Sequence, residues 1–358
     1  VAPWNRNPMP LKSAHQEMTR GIEERIFPGA VLLVTKRGET IFHETYGTLG
    51  GPQTAAVTHD TFFDLASLTK VLATTPVWMI LATRHPEILD QPLIRWFPDC
   101  GLDKAAITPR HLLAHSAGLP AWRPYYLFSS TTDSMRSLVA GKILSETLQY
   151  NPGQDCLYSD LGFMLLAFIA EQETENAFEL VAKEMVFEPL GVSERLVFKP
   201  SGEERSIAQT RRGEPAGLVN DLNARSLGGA AGHAGLFGAA DSGVRLATEF
   251  VTSLKRPGAI FDPEITRVFC TRTQYAPGAT RALGFDTPSL EEPSCGGRFP
   301  ETGLGHTGFT GTSLWIDPDR EIIVVLLTNR VFMGEADFRI KSFRPRVHDA
   351  IMEDLGGT

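Results

Sequence analysis

Ser67-Leu68-Thr69-Lys70 sets a hydroxyl and an amine three residues apart, directly ahead of an apolar run from Val71 to Leu81. On a helix that spacing puts both groups on one face, one turn apart. A serine is a poor nucleophile until a neighbour removes its proton, and an amine beside it can act as that base or assist one. The plainer alternative is a helix start, with Ser67 as its cap and Lys70 in water. A second cluster, Tyr158-Ser159-Asp160, follows Asn151-Pro152-Gly153. It could bring a phenol and a carboxylate to the head of a cleft, or simply cap a helix at Ser159 or Asp160 while Tyr158 packs. A third cluster is Gly305-His306-Thr307-Gly308-Phe309-Thr310-Gly311-Thr312. Small residues let backbone approach a ligand closely, and exposed N–H groups on a strand edge can hold an oxyanion or a substrate amide. Residues 303–308 also fit Gly-x-Gly-x-x-Gly, but a strand pattern follows rather than a helix, which argues against a dinucleotide site.

Groups so far apart in sequence need a scaffold that folds both chain ends against the middle. Leu11, Met18, Ile22 and Ile26 have helical spacing and predict a helix over 11–26, stopped by Pro28-Gly29. Strands are expected at 30–35 and 40–44, joined in a hairpin by Arg37-Gly38-Glu39. Residues 312–316 and 321–328 read as two more strands around Asp317-Pro318-Asp319, and 337–355 as a closing helix. Between these ends, 67–85, 108–115, 136–150, 160–173 and 176–188 read as mostly helical, separated by turns containing Pro and Gly. Strands at both ends with helices between indicate an α/β (α+β) fold. The expected division is a discontinuous sheet domain, 1–75 and 240–358, and a mostly helical domain, 76–239, with the active site at their interface.

The 358 residues, 42% hydrophobic and 21% charged, are ample for a full core. A net charge of -8, with no basic block or basic-aromatic stripe, argues against a nucleic-acid partner. Cys100, Cys156, Cys270 and Cys295 show no Cys-x-x-Cys spacing, so zinc-ribbon and thioredoxin chemistry are excluded while a disulfide stays open. No apolar stretch reaches the ~20 residues of a membrane span. The sequence begins at Val1 without a signal-peptide pattern, and the compartment, cytoplasmic or periplasmic, is left open.

His111 and His115 stand four apart, a spacing also used for metals. No Glu follows His111 and the residues between are apolar, so hydrogen-bonded imidazoles packed near the site are expected instead. His233 lies in a Gly-rich loop and can line the cleft or brace the loop. Trp122, Tyr125 and Tyr126 form an aromatic patch expected to wall an acyl pocket. No serine is flanked by glycines in a Gly-x-Ser-x-Gly elbow, which argues against an α/β-hydrolase.

The three clusters, in this order, make the chain similar to the serine penicillin-recognising superfamily, particularly class C β-lactamases and related esterases and D-amino-acid peptidases. Ser67-x-x-Lys70 matches the first motif, Tyr158-Ser159-Asp160 resembles a Tyr-x-Asn second motif, and His306-Thr307-Gly308 stands where the family has Lys-Thr-Gly. Phe63-Asp64-Leu65-Ala66, the segment Ile107 to Pro120, and Gly228 to Phe237 resemble further segments of its esterase-like members. The resemblance implies a β-lactamase-like fold, an antiparallel sheet flanked by helices with a mostly helical insertion. It implies that Ser67 is acylated, that Lys70 and Tyr158 share proton transfer, and that the Ser67 and Phe309 N–H groups form the oxyanion hole. Asp160, His306, Thr307 and Gly308 would contact substrate, and no metal or organic cofactor is implied. A free phenol titrates near ~10, so Tyr158 is expected to be lowered by the Lys70 ammonium.

Two departures bear on substrate. Asp160 replaces a frequent Asn and favours a protonated Lys70. His306 replaces a lysine that helps hold a substrate carboxylate, which a neutral imidazole does poorly. Both point to a small uncharged ester or amide, with carboxylic ester hydrolysis first and a D-amino-acid peptidase or weak β-lactamase second. A non-catalytic receptor for penicillin or peptidoglycan fragments is the alternative of another class, and it has no need of Ser67, Lys70 and Tyr158 together.

Overall fold

The computed structural model describes residues 11–50, 55–128, 132–201, 205–272, 275–277 and 279–356; the expected sheet domain's ends at 1–10 and 357–358 lie outside them. The first third holds α1 (Lys12–Glu23), β1 (Gly29–Lys36), β2 (Glu39–Gly47), β3 (Phe63–Asp64), α2 (Thr75–Arg84) and α3 (Pro109–Leu113). The middle holds α4 (Thr132–Leu144), α5 (Asp160–Thr174), α6 (Phe178–Ala182), β4 (Leu196–Phe198), α7 (Leu222–Ser226), β5 (Leu236–Gly238) and α8 (Ala240–Lys255). The chain closes with α9 (Pro263–Cys270), β6 (Leu304–Thr307), β7 (Ser313–Asp317), β8 (Ile322–Thr328) and α10 (Ile340–Asp354).

The main sheet has the order β2-β1-β8-β7-β6 with antiparallel neighbours throughout. β8 is buried along its whole length and β1 up to its last residue, as continuous apolar runs covered on both faces should be. Alternate residues face opposite ways. Ala30, Leu32, Val34, Val324 and Leu326 pack with Met18 of α1 and Phe343, Val347 and Ile351 of α10. Val31, Leu33, Val325 and Leu327 join the larger core with Leu246 and Phe250 of α8. The helices of the middle segment share that core: α2 is buried from Thr75 to Ala82 and α5 from Leu161 to Ala170. This is the β-lactamase-like arrangement.

A second, three-stranded sheet, β3-β5-β4, ties Phe63-Asp64 to residues 236–238 just ahead of Ser67. Strands of two and three residues carry no periodicity, and neither they nor α7, α8 and α9 are among the predicted elements. The helix expected over 136–150 runs 132–144 instead. The Ser145 hydroxyl turns back to the Gly141 carbonyl, and the Gln149 N–H is taken by the Gly118 carbonyl, so the helix cannot continue. All four cysteines are free thiols. Among the described residues no helix is long and apolar enough to cross a membrane.

Candidate active site

Ser67 stands in the turn between β3 and the helical run leading into α2. The Leu68, Thr69 and Lys70 N–H groups donate to the Leu65, Ala66 and Ser67 carbonyls at 3.0 Å each. Winding this tight forces Ala66 into the left-handed region, φ 47°, a conformation costing about 1 kcal/mol or more for a residue with a Cβ. Asp64 holds the turn: its carboxylate accepts the Ala66 N–H at 2.9 Å and the Asn220 N–H at 2.6 Å. Burial nonetheless raises the Asp64 carboxyl to about 6. The Thr310 and Thr312 hydroxyls donate to the Asp64 and Leu65 carbonyls at 2.6 and 3.1 Å. The third sequence cluster is thereby fastened to the serine's own turn.

Lys70 opens a π-helical turn, Lys70–Thr74, a widened geometry that recurs at functional sites. Its wholly buried Nζ donates to Ser67 Oγ at 3.2 Å, Asp160 Oδ1 at 2.6 Å and the His233 carbonyl at 3.1 Å. An ammonium has three donors, and all three are used. Burial alone would lower its pKa, but the polar partners around it, the Asp160 carboxylate foremost, hold it above its ordinary value. Asp160 reaches it as the first residue of α5, where a carboxylate also complements the helix N-terminus.

The Tyr158 side chain stands beside Lys70 and Ser67 in the same cleft, and Lys70 Nζ lies 4.9 Å from its ring centroid. The expected lowering of this phenol is not what results. Burial pushes it up, the Lys70 ammonium only partly opposes that, and it ends above its ordinary value. Lys70 and Tyr158 are therefore an ammonium and a neutral phenol at rest. His115 sets the phenol's position. Its ring lies 4.6 Å from that of Tyr158. Its carbonyl accepts the Leu157 N–H and its Nδ1 accepts the Ser159 N–H, both at 3.0 Å. His115 adopts the left-handed φ of 56° just past the end of α3, whereas His111 turns back to the Thr108 N–H as part of that helix's cap.

On the opposite wall, His306 lies on the edge strand β6. Its Nδ1 is 2.8 Å from the Thr307 carbonyl, which can only accept, so Nδ1 carries the proton. Burial first, then Lys70 and Arg281, hold this imidazole well below its ordinary value, so it is neutral. Its Nε2 is buried without a hydrogen-bond partner among the described residues. After Thr307 the chain turns so closely that a Cβ on Gly308 would sit 2.1 Å from Thr312 Oγ1 and 2.6 Å from the Leu65 carbonyl. Phe309 follows, its side chain 45% exposed at the mouth.

Ser67, Tyr158, Asp160, His306, Thr307, Gly308 and Phe309 all line one cleft of about 680 Å3, with Lys70 behind them. His233 both lines the cleft and braces it: Nε2 lies 2.9 Å from Asp221 Oδ1, while its carbonyl holds Lys70. Of the aromatic patch, Trp122 and Tyr126 line the cleft, but Tyr125 is buried with its hydroxyl on Glu146. Sequence reasoning missed Arg281, whose guanidinium sits 5.4 Å from the Tyr158 ring centroid and 3.4 Å from Asp286. It also missed Asp221, Arg330 and Arg344. No local spacing marks any of them.

This arrangement on this fold defines a β-lactamase-like serine hydrolase. The chain belongs to the Beta-lactamase family, whose model matches residues 15–342. It is 30% identical to the N-acetylmuramyl-L-alanine amidase of Bacillus subtilis (strain 168), over 89% of this chain and 81% of that one. It is 29% identical to a protein of Escherichia coli O157:H7 provisionally named a D-alanyl-D-alanine carboxypeptidase, over 90% and 83%. Among solved structures it shares the fold of EstCE1, described as a hydrolase with promiscuous acyltransferase activity. The TM-score is 0.77 and the identity 24%, over 96% of this chain and 98% of that one.

Proposed function

We propose that the protein hydrolyses carboxylic esters through an acyl-enzyme on Ser67, in a cleft between a sheet domain (1–75 and 240–358) and a helical domain (76–239). The observation that carries this is the contact of Ser67 Oγ with a buried ammonium, in one open cleft that a neutral phenol, Tyr158, also lines. Because neither Lys70 nor Tyr158 is a standing base, the proton moves through Tyr158 rather than onto it. Ser67 Oγ attacks the ester carbonyl while its proton passes to the Tyr158 oxygen, and the Tyr158 proton passes to the departing alkoxide. Water reverses the relay: it gives its proton to Tyr158, which returns one to Ser67 Oγ as the acid leaves. Lys70 stays charged and stabilises the oxygen that carries developing negative charge. The Ser67 and Phe309 N–H groups take the carbonyl oxygen of the tetrahedral intermediate.

Neutral His306, with a lone pair at Nε2, offers a carboxylate no attraction and an uncharged ester no penalty. Thr307, Gly308 and Asp160 border the same space, and Trp122 and Tyr126 supply an apolar wall for the acyl group. A second reading, a D-amino-acid peptidase, is favoured by Arg281, a cation in the cleft beside Tyr158, and by the names of the relatives. A panel of p-nitrophenyl acyl esters, a D-alanyl-D-alanine peptide and a cephalosporin separates them. The expected result is fastest turnover of short esters, abolished in Ser67→Ala. Peptide or cephalosporin turnover well above that of the esters overturns the ester assignment, and a long-lived penicillin adduct without any turnover would mark a receptor.

A further inference from the structure

Arg344 of α10 is buried, and among the described residues no carboxylate pairs with it. Its charged neighbour is another cation, Arg330, and burial lowers its pKa to about 9. An unpaired buried guanidinium is costly to fold around. What it touches is specific: one terminal nitrogen donates to the Gly308 carbonyl at 2.5 Å and to the Thr312 carbonyl at 2.9 Å. The Gly308 carbonyl belongs to the same peptide group as the Phe309 N–H. A cation bonded to the oxygen end of an amide draws electron density from nitrogen and makes the N–H at the other end a stronger donor. Arg330 acts one peptide further on: its Nε donates to the Phe309 carbonyl at 2.8 Å, and its guanidinium lies 4.4 Å from the Phe309 ring centroid. That contact anchors the turn without touching the peptide that presents the Phe309 N–H.

We infer that Arg344 is a positioning residue whose charge, delivered through the Gly308 carbonyl, strengthens the Phe309 N–H as an oxyanion-hole donor. The inference rests on the proposed placement of that N–H in the oxyanion hole. A plain staple across the 308–312 turn could be made by any neutral donor, so charge is the property to vary. Arg344→Gln keeps donors and removes charge. Arg344→Lys keeps charge and loses the planar fork.

The test is infrared spectroscopy of an acyl-enzyme formed from a slowly deacylating ester, together with steady-state kinetics. In the wild type the Ser67 ester carbonyl should absorb at lower wavenumber than the same ester in water. Arg344→Gln should move that band back toward the free ester and lower kcat about tenfold, a fraction of the loss from removing a whole oxyanion donor, with KM unchanged. Arg344→Lys should keep most of the shift and most of kcat. Should Arg344→Gln fail to fold, Arg344→Lys decides alone: a folded Lys variant with the band fully returned contradicts a role for charge. An unmoved band in both variants, or a change confined to KM, overturns the inference while leaving the acyl-enzyme standing. Failure of the wild type to form any adduct on Ser67 instead sinks the proposed function, and the inference with it.

Discussion

The two walls of the cleft handle charge in opposite ways. On the wall formed by Lys70, Asp160, Asp221 and His233 each basic group meets a carboxylate: Lys70 lies 2.6 Å from Asp160 and His233 2.9 Å from Asp221. Burial would push Asp221 up, but His233 beside it outweighs burial and holds the carboxyl at about 2. On the opposite wall, around the turn at 306–312, His306 is neutral, and Arg330 and Arg344 donate to backbone carbonyls. A wall of paired acids and bases suits the movement of protons. A wall of cations behind peptide groups suits the holding of negative charge on oxygen. The two tasks, moving protons and holding negative charge, thus fall to parts of the chain that meet only in the folded state.

The division can be broken first at its centre. Ser67→Ala should lower ester turnover by roughly 10^4-fold or more, with little change in melting temperature, since the side chain is small and half-exposed. Tyr158→Phe should cost about 10^3-fold in kcat by interrupting the relay while the ring stays packed against His115. Both are read from steady-state kinetics on one ester. Lys70→Met strands Asp160 and should lower unfolding stability by about 3 kcal/mol. Adding Asp160→Asn should recover much of that stability in urea titrations and none of the activity, separating the pair's structural role from its chemical one.

Two smaller effects sharpen the contrast. Asp64 titrates at about 6 in the fold against an ordinary 3.8. Between those values the folded chain keeps a proton that the unfolded chain has released, so stability falls as pH rises through the window, by at most about 3 kcal/mol. Urea unfolding at pH 4.5 and 7 should show a smaller difference for Asp64→Asn than for the wild type. Trp122→Ala should raise KM for aromatic acyl esters several-fold, roughly 1 kcal/mol, and leave acetyl esters nearly unchanged. A uniform effect on both would remove Trp122 from the acyl wall.

What was legible in the sequence is what is local. Ser67 and Lys70 are one helical turn apart, and the apolar runs of 30–35 and 321–328 announce buried strands. The replacement of a lysine by His306 and of an asparagine by Asp160 could be read as departures, and the Lys70–Asp160 pair is the one expected. The sign of the Tyr158 shift could not be read, because it depends on how completely the folded protein buries the ring beside His115 and Phe163. Arg281, Arg330 and Arg344 were illegible for a related reason. Arg281 acts on Tyr158, more than a hundred positions away, while Arg330 and Arg344 bond backbone carbonyls and so leave no complementary side chain to notice.

Rapid-quench mass spectrometry of the enzyme mixed with a p-nitrophenyl ester probes the reactivity of this one hydroxyl most directly. Within the first turnover, the acyl mass should appear on the peptide that carries Ser67, and its formation should slow about 10^3-fold in Tyr158→Phe. Steady hydrolysis with no adduct at that serine, or an adduct that forms as fast without the phenol, would contradict the account.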